Sequence, residues 1–327
     1  ARLLVGHGDG RLEDAGVRDL PRFLSPGDVM VFNDTRVLPA ALTGVRPARD
    51  ESGQNVACDV NLTERMDARR WRALARPGRR LKESDTIIFA EGFSAEITGR
   101  HEGGEIELCF SLAGDELTDA LDAHGAMPLP PYIARRRPAD ALDRETYQTR
   151  FAGEDAASVA APTAGLHFTP RLLADIDAAG IVRETVRLPV GLGTFKPLEA
   201  AQLEANRLHE EWRRLTPEVA AKLNTARAGG HRVVPVGTTA MRTLESCVDT
   251  DGILHAATGP TDIFLKPGDA VRATDALVTN FHLPGSSLFM LVCALMGTEI
   301  MQAAYAHAIA SEYRFYSYGD ACLLLPT

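Results

Sequence analysis

Short β-forming stretches fill one continuous part of the chain. Between about Leu42 and Leu112, runs of β-branched and aromatic residues occur at positions 56–62, 71–75, 86–90, 93–98 and 105–110. Glycine, proline and charged residues separate these runs. Several short strands at regular spacing are typical of a small antiparallel barrel or sandwich. We therefore predict an inserted, barrel-like β domain over residues 42–125.

The rest of the chain alternates predicted helices with apolar strands. A threonine followed by a proline, at 169–170 and at 216–217, gives a helix cap and a first helical residue, and glycines at 180 and 229–230 end both helices. Apolar stretches at 29–32, 181–188, 232–236 and 276–281 predict strands of one sheet. The predicted fold class is mixed α/β: residues 1–41 and 126–327 form a layered, discontinuous catalytic domain around the inserted barrel.

Composition narrows the class of protein. A chain of 327 residues with 45% hydrophobic content can bury a sizeable core. Its longest apolar run, residues 288–296, is far shorter than the roughly 20 residues of a membrane span, so we predict a buried helix and no membrane contact. The five cysteines include no C-x-x-C pair, which disfavours a disulfide framework and a zinc site. We expect a cytoplasmic protein.

The charge distribution leaves two interpretations of the basic residues. A net charge of −9 disfavours a general nucleic-acid coat protein. Residues 69–82 nevertheless hold seven basic and no acidic side chains, and a second basic cluster lies at 135–137. Each cluster is either a solvated surface or a phosphate-binding patch, with Trp71 offered for stacking on a base. The candidate RNA-binding residues are Arg69, Arg70, Arg72, Arg79, Arg80, Arg135 and Arg136.

Two histidines occupy similar sequence contexts. His167 lies in A-P-T-A-G-L-H-F-T at 161–169, and His282 lies in T-N-F-H-L-P-G-S-S-L at 279–288. A single histidine between apolar neighbours is commonly a core residue, whereas two with turn residues beside them indicate a site. Both follow or flank predicted strand ends, where α/β sheets bind ligands. We therefore expect the two rings to approach a common pocket.

Several familiar chemistries are excluded by missing residues. The stretch H-E-E-W-R at 209–213 has arginine where a zinc protease needs its second histidine. The chain has no G-x-S-x-G, no phosphate-loop motif and no G-x-G-x-x-G. Polar clusters remain at predicted element ends: 33–36, 147–148, 162–165, 238–245, 280–282 and 313–320. Taken singly, each cluster has a structural explanation: residues 33–35 fit a turn, Arg242 with Glu245 fits an i, i+3 surface pair, and residues 313–318 fit an aromatic strand. Aromatic rings beside an arginine can also bind adenine, a base or a sulfonium.

Eight segments along the chain, several of which contain these clusters, together resemble one family. They are V-F-N-D-T-R-V-L-P-A at 31–40, M-P-L-P-P-Y-I at 127–133, Y-Q-T at 147–149, A-A-P-T-A-G-L-H-F-T at 160–169, V-G-L-G-T-F at 190–195, V-G-T-T at 236–239, T-N-F-H-L-P at 279–284 and Y-R-F-Y-S-Y-G-D-A at 313–321. In this order they are similar to the S-adenosylmethionine:tRNA ribosyltransferase-isomerases of queuosine biosynthesis. The family pattern H-S-E is H-E-E here, and an aspartate-histidine pair before it is Ala205-Asn206. Family members usually carry a further segment before the position of Ala1, which we expect to complete part of the site.

The resemblance implies a reaction and its participants. The ribosyl part of S-adenosylmethionine would move onto 7-aminomethyl-7-deazaguanine at the wobble position of a tRNA with a GUN anticodon, giving epoxyqueuosine, adenine and methionine. S-adenosylmethionine is consumed as a co-substrate, so no cofactor and no metal are implied. The family fold is likewise an α/β domain interrupted by a small β-barrel. We expect a monomer.

Residue roles follow from matching this chemistry to the motif residues. The sulfonium acidifies the adjacent 5′ C–H only modestly, so the reaction needs a positioned base with a raised pKa, and His167 or His282 is the candidate. Asp34 or Asp320 is the candidate proton donor to departing adenine, and Arg36 and Arg242 are candidates for the methionine carboxylate. The candidate substrate-binding residues are Asn33, Thr35, Arg36, Tyr147, Thr163, Gly165, Phe168, Thr194, Phe195, Thr238, Thr239, Arg242, Asn280, Phe281 and Tyr318.

Two other functions fit the same residues. A different S-adenosylmethionine-dependent RNA-modifying enzyme, such as a methyltransferase, would leave S-adenosylhomocysteine. A non-catalytic RNA-binding module would bind tRNA and consume no S-adenosylmethionine. Product analysis separates the three.

Overall fold

A mixed β-sheet and a closed β-barrel organise the chain, in a computed structural model that describes residues 1–51, 53–101, 104–153, 156–191 and 200–326. Within these residues the strands are β1 (Arg2–His7), β2 (Leu12–Gly16), β3 (Val29–Asn33), β4 (Arg36–Val37), β5 (Ala41–Arg46), β6 (Val56–Arg65), β7 (Arg70–Arg76), β8 (Thr86–Ala90), β9 (Phe93–Arg100), β10 (Glu105–Phe110), β11 (Ala156–Ser158), β12 (Val182–Val186), β13 (Glu211–Leu215), β14 (Val233–Val236), β15 (Ala257–Thr261), β16 (Leu277–Asn280) and β17 (Ala321–Leu325). The α-helices are α1 (Gly114–His124), α2 (Pro131–Ala134), α3 (Asp143–Thr146), α4 (Pro170–Ala178), α5 (Ala200–Ala205), α6 (Pro217–Ala228), α7 (Thr238–Glu245), α8 (Ser287–Met296) and α9 (Thr298–Ala310).

The sheet has seven strands in the order β12-β3-β14-β16-β17-β1-β2. Strands β12, β3, β14 and β16 run parallel, whereas β17 pairs antiparallel with β16. Every residue of β3, β14, β16 and β17 is buried, as expected for strands covered on both faces. The four parallel strands therefore bring their carboxyl ends to one edge, where the segments after them can form a ligand site.

Helices begin where the sequence predicts them. Thr169 caps α4 by accepting a hydrogen bond at Oγ1 from the backbone N–H of Leu172, and Thr216 caps α6 in the same way. The apolar run at 288–296 forms α8, as predicted. Among the described residues no single helix is long and apolar enough to cross a membrane, and α8 and α9 meet at 115°.

The inserted β domain is a closed antiparallel barrel in the order β10-β7-β6-β5-β8-β9, which confirms the mixed α/β fold with an inserted barrel. Trp71, Phe93 and Phe110 fill its interior, and Leu117 and Leu121 of α1 join the same core. Strands β10 and β9 pair to close the barrel, and β5 meets β8 with Val45 opposite Ile88. A Cβ on Gly44 would lie 2.8 Å from the Ile88 carbonyl oxygen, so only glycine permits this close approach.

The chain enters and leaves the barrel region side by side. Ala41 forms an antiparallel bridge with Ala126, with backbone hydrogen bonds of 3.1 and 2.8 Å in the two directions. The predicted domain division, after residue 41 and before residue 126, falls at this bridge. The segments that enter and leave the barrel region are thereby joined to each other by paired backbone.

Candidate functional site

A cavity of about 880 Å³ lies between the barrel and the sheet domain. Its walls come from β6, β7 and β10 on one side, and from residues 187–191, residues 208–212, Arg242 and the start of α8 on the other. This volume falls within the usual range for small-molecule sites, which favour junctions between domains.

Arg242 is the most unusual residue in the cavity wall. Its side chain is 5% exposed, and Nη1 donates a hydrogen bond to the carboxylate of Glu211. Its Nε and Nη2 atoms have no hydrogen-bond partner among the described residues. Buried guanidinium donors without acceptors are costly, and carboxylates and phosphates match their fork geometry. Arg242 lines the cavity, and its Nε and Nη2 are buried donors whose hydrogen-bonding capacity no described residue satisfies.

The sequence-based alternative for Arg242, a surface pair with Glu245, is wrong. Both side chains are buried, and Glu245 accepts hydrogen bonds from Thr274 Oγ1 and from the backbone N–H groups of Arg272 and Ala273. Burial raises the pKa of Glu245, although these three donors oppose the shift. Glu245 therefore fixes the loop after β15, and Glu211, distant in sequence, is the partner of Arg242.

The barrel wall also has donors without partners. The indole Nε1 of Trp71 and the Nε of Arg72 are buried and have no acceptor among the described residues. Trp71 is 1% exposed, which corrects the expectation that its ring is available for stacking on a base. Its position follows from strand alternation: Trp71, Ala73 and Ala75 point into the barrel core. Trp71 therefore belongs to the barrel core beneath the cavity wall.

The N-D-T-R segment fixes the carboxyl end of β3. The Asn33 amide nitrogen donates to the Leu188 carbonyl at 2.7 Å and to Thr239 Oγ1 at 3.1 Å, and its oxygen accepts from the Leu188 and Thr35 backbone N–H groups. All four positions of this amide are therefore used. Asn33 ties β3 to the segment after β12 and to the start of α7, and so positions the cavity wall.

The next three residues have distinct surroundings. Asp34 forms a two-contact ion pair with Arg187, at 2.8 and 2.9 Å, and Arg187 lines the cavity. Thr35 is completely buried, and its Oγ1 has no hydrogen-bond partner among the described residues. Arg36 contacts the Asp122 carboxylate at 3.1 Å and is half-buried. Asp34 therefore positions a cavity residue rather than lining the cavity itself.

His167 belongs to a polar triad at the end of β16. Thr163 Oγ1 donates to Asn280 Oδ1 at 2.9 Å, and Asn280 Nδ2 lies 3.1 Å from His167 Nε2. With Asn280 oriented by Thr163, its amide donates to Nε2, which places the proton of the neutral ring on Nδ1. Burial lowers the pKa of His167 to about 4. The ring is therefore neutral at pH 7.

His282 lies in a separate environment. Its Nε2 is 3.1 Å from Thr279 Oγ1, and its backbone N–H donates to the Tyr305 hydroxyl at 2.8 Å. Burial lowers its pKa to about 4.

The two histidines lie against opposite faces of β16. His167 contacts Asn280 and His282 contacts Thr279, and side chains of consecutive strand residues point to opposite sides of a sheet. The core residues agree, since Val278 packs with the α4 layer and Leu277 with the α8–α9 layer. Neither histidine is among the described residues that line the cavity. The expectation of a common pocket is therefore wrong.

Asp320 anchors the start of the chain. Its carboxylate accepts hydrogen bonds from the backbone N–H of Arg2 at 2.8 Å and from the backbone N–H and Nη2 of Arg314 at 2.9 and 3.1 Å. Burial alone would raise its pKa, but these donors outweigh burial and hold the pKa below the ordinary value. Asp320 is thus a carboxylate with three donors, an arrangement suited to structural anchoring and poorly suited to donating a proton.

The remaining motif residues are packing or junction residues. Tyr147, Phe168 and Phe281 are buried, and the Tyr318 ring stacks on Tyr147 with centroids 5.8 Å apart. Gly165 lies against Thr149, whose Cγ2 would be 3.0 Å from an added Cβ. Thr238 and Thr239 open α7, after Gly237 with φ 94°. Thr194 and Phe195 lie outside the described residues.

The basic residues of β7 have acidic neighbours on adjacent strands. Register places Arg72 opposite Glu64 of β6 and Glu107 of β10, and Arg72 Nη1 lies 3.3 Å from the Glu64 carboxylate. Arg70 pairs with Asp67 at 2.6 Å. These contacts favour the solvated-surface interpretation for Arg70 and Arg72. In the part of the chain that is described, exposed basic side chains with neither an ion pair nor a side-chain hydrogen bond include Arg69, Arg79, Arg80, Arg135 and Arg136.

Residues 208–212 are the main part of the site that sequence reasoning missed. Leu208, His209, Glu210, Glu211 and Trp212 all line the cavity. The signal was present in H-E-E-W-R, which served to exclude zinc chemistry and was compared with the family pattern H-S-E, without its residues being assigned to the site. No group of three or more His, Cys, Asp or Glu residues among those described is arranged to hold a metal ion.

Comparisons with known proteins agree along the whole chain. A family model described as a queuosine biosynthesis protein matches residues 1–324. The chain is 77% identical over 326 residues to the S-adenosylmethionine:tRNA ribosyltransferase-isomerase of Hyphomonas neptunium, covering 100% of this chain and 93% of that protein. It is 55% identical over 325 residues to the protein of the same name from Maricaulis maris, with coverage of 99% and 92%. A crystal structure of S-adenosylmethionine tRNA ribosyltransferase from Thermotoga maritima is similar with a TM-score of 0.52 and 31% identity, covering 99% of this chain and 92% of that one.

Proposed function

The chain belongs to the queuosine biosynthesis protein family, and from this we infer that it is an S-adenosylmethionine:tRNA ribosyltransferase-isomerase. It is an enzyme that uses S-adenosylmethionine and tRNA. The high identity to proteins of this name over nearly their whole length supports the assignment, and so do the ordered motifs and the shared fold.

We propose that the acceptor is 7-aminomethyl-7-deazaguanine at the wobble position of a tRNA with a GUN anticodon. One ribosyl carbon of S-adenosylmethionine forms the new bond to the aminomethyl nitrogen, and the nitrogen and the 5′ carbon each lose a proton. The C1′–N bond breaks to release adenine, which takes up one proton, and the C5′–S bond breaks to release methionine as the sulfonium becomes a thioether. The product base is epoxyqueuosine. We further propose that the protein acts as a monomer in the cytoplasm, away from membranes, and that it needs neither a cofactor nor a metal besides the consumed S-adenosylmethionine.

The buried Arg242 side chain in the cavity carries this proposal at the level of the site. Its unpartnered Nε and Nη2 form the two-donor fork that a carboxylate accepts best, so we assign it to the methionine carboxylate of S-adenosylmethionine. Because Asp122 already engages Arg36, that residue is the weaker of the two arginine candidates.

His167 is the stronger of the two candidates for the base. Burial lowers the pKa of both rings, which is opposite to the raised pKa that we expected of the base, but His167 retains some exposure whereas His282 is buried. Its Nε2 is occupied by Asn280, so proton transfer requires that this hydrogen bond be released when substrate binds. Asp34 and Asp320 are the proposed proton donors to adenine only if substrate binding separates them from their arginine partners.

Product analysis tests this function. Purified protein, S-adenosylmethionine and tRNA carrying the aminomethyl-deazaguanine base should release adenine and methionine. Release of S-adenosylhomocysteine would indicate a methyltransferase instead. Binding of tRNA without consumption of S-adenosylmethionine would indicate a non-catalytic RNA-binding module.

A further inference from the structure

Tyr316 adopts a backbone conformation that bulky residues avoid. Its φ is 71°, in the left-handed region where a Cβ atom is crowded by the backbone. Glycine adopts this conformation without that cost. Residues held in such conformations cluster at functional sites, where the surrounding structure enforces them.

The loop around Tyr316 enforces the conformation. The backbone N–H of Tyr316 donates to the Phe281 carbonyl at 3.2 Å, and its carbonyl accepts from the Gly319 N–H at 3.0 Å. The Tyr318 N–H donates to the Tyr132 hydroxyl at 3.1 Å. Asp320 holds Arg314 at the start of the loop. The loop is therefore fixed at both ends and at its centre.

The fixed loop leaves the Tyr316 ring on the surface. The residue is 38% exposed, and its ring centroid lies 5.3 Å from that of Tyr132 at an angle of 52°. The packing of the core does not use the exposed part of this ring. Core packing therefore gives no reason for a tyrosine at a position that suits glycine. The exposed part of the ring is free to contact a ligand.

Two arginines follow Tyr132 on the same face. The chain continues from α2 as a helical turn, because the Arg136 and Arg137 N–H groups both donate to the Ile133 carbonyl. Positions three and four residues after Tyr132 therefore lie beside it. These are Arg135 and Arg136, which are exposed and whose side chains have no partner among the described residues. Arg137, by contrast, is neutralised by Asp143.

We propose that Tyr316 is a stacking platform for an unpaired base of the tRNA anticodon loop, with Arg135 and Arg136 on the neighbouring phosphates. Exposed rings next to unpaired guanidinium groups are the chemistry that single-stranded RNA requires, since every base offers a flat face and every linkage an anion. The platform lies next to the T-N-F-H segment, at the sheet edge where the parallel strands end. The proposal rests on the proposed function, which supplies the tRNA.

A pair of variants separates the ring from the backbone. Tyr316→Gly removes the ring and relieves the left-handed strain, so the melting temperature should stay the same or rise. Its Kd for an anticodon stem-loop should rise about 5- to 150-fold, the range found when a base-stacking aromatic is removed. Tyr316→Phe keeps the ring and should keep the wild-type Kd. Neither variant should change the Kd for S-adenosylmethionine.

The probe is an unmodified stem-loop with 2-aminopurine at single loop positions. Wild type and Tyr316→Phe should change the fluorescence of one position by stacking, and Tyr316→Gly should not. An equal Kd for Tyr316→Gly and wild type, a fluorescence change that survives in Tyr316→Gly, or no binding of the stem-loop to wild type would overturn the proposal. This binding assay needs no turnover. Failure to release adenine would therefore count against the proposed function, whereas the stacking proposal would still be tested by the fluorescence change.

Discussion

Arg242 donates one hydrogen bond to Glu211 from a buried position, while its other two nitrogens, Nε and Nη2, have no partner in the part of the chain that is described. Glu211 lies in the segment 208–212, and Arg242 lies on α7, so the pair joins two elements across the cavity wall. A buried cation that keeps two free donors beside a cavity is preorganised for an anion, because ligand binding then need not reorganise the site.

Arg242→Lys should weaken binding of S-adenosylmethionine while leaving the protein folded. Lysine can keep the charge opposite Glu211 but cannot offer the planar two-donor fork. Hydrogen bonds to charged groups contribute about 1.5–3 kcal/mol, so we expect the KM for S-adenosylmethionine to rise roughly 10- to 150-fold. Steady-state kinetics at saturating tRNA measures this.

Arg183→Lys is the matched control for that experiment. Arg183 lies on the edge strand β12, where its exposed side chain pairs with Asp177 of α4. It should leave the KM for S-adenosylmethionine unchanged. An unchanged KM in Arg242→Lys as well would remove Arg242 from the binding site.

The free energy of unfolding should fall as the pH is lowered from about 6.5 to about 4. Both His167 and His282 have pKa values of about 4 in the folded protein, below the ordinary histidine value of about 6.5, because burial disfavours the charged ring. Between these pH values the unfolded chain binds protons that the folded protein does not, so acid favours unfolding. Each ring adds a slope of up to about 1.4 kcal/mol per pH unit.

His282→Asn should therefore flatten the stability curve in that window, whatever its effect at pH 7. Urea unfolding of wild type and variant at several pH values between 4 and 7 measures the two slopes. Parallel curves would mean that His282 is not buried in its neutral form.

Asp320→Asn should lower the stability of the protein by about 1.5–3 kcal/mol, the value of hydrogen bonds to a charged acceptor. The carboxylate ties the backbone of Arg2 to Arg314, and an amide accepts these donors less strongly. Thermal unfolding compares it with Asp251→Asn, a change at an exposed turn. Loss of turnover with no loss of stability would assign Asp320 to proton transfer instead.

Salt dependence of tRNA affinity should distinguish the two basic clusters. The double variant Arg135→Gln with Arg136→Gln should reduce the magnitude of the slope of log K against log salt by about 0.7–0.9 for each lost phosphate contact. The control variant Arg70→Gln should change it little, because Asp67 already neutralises this side chain. Equal changes in both variants would contradict the assignment.

The sequence predicts the local elements well, because their signals are local. The threonine caps of α4 and α6 and the alternation along β7 and β10 place helices and barrel strands close to their observed bounds. The same alternation along β7 also places the Trp71 ring inside the barrel. The predicted stacking role of Trp71 did not take this into account.

The site depends on neighbours that the sequence does not reveal. Glu211 meets Arg242 across 31 positions of chain, and Arg187 meets Asp34 across 153. Strand register, rather than sequence proximity, brings Glu64 opposite Arg72. The two histidines have matching motifs, yet they lie on opposite faces of β16 because their contacts, Asn280 and Thr279, are consecutive residues of a strand.

The fate of the ribosyl carbons tests the central claim most directly. The protein is incubated with S-adenosylmethionine labelled with carbon-13 throughout its ribosyl group and with tRNA carrying the aminomethyl-deazaguanine base, and the nucleosides of the tRNA are then analysed by mass spectrometry. We predict that the modified nucleoside gains the whole labelled unit and that unlabelled adenine and methionine appear in amounts equal to it. A tRNA that gains only an unlabelled methyl group, with the label leaving in S-adenosylhomocysteine, would contradict this account.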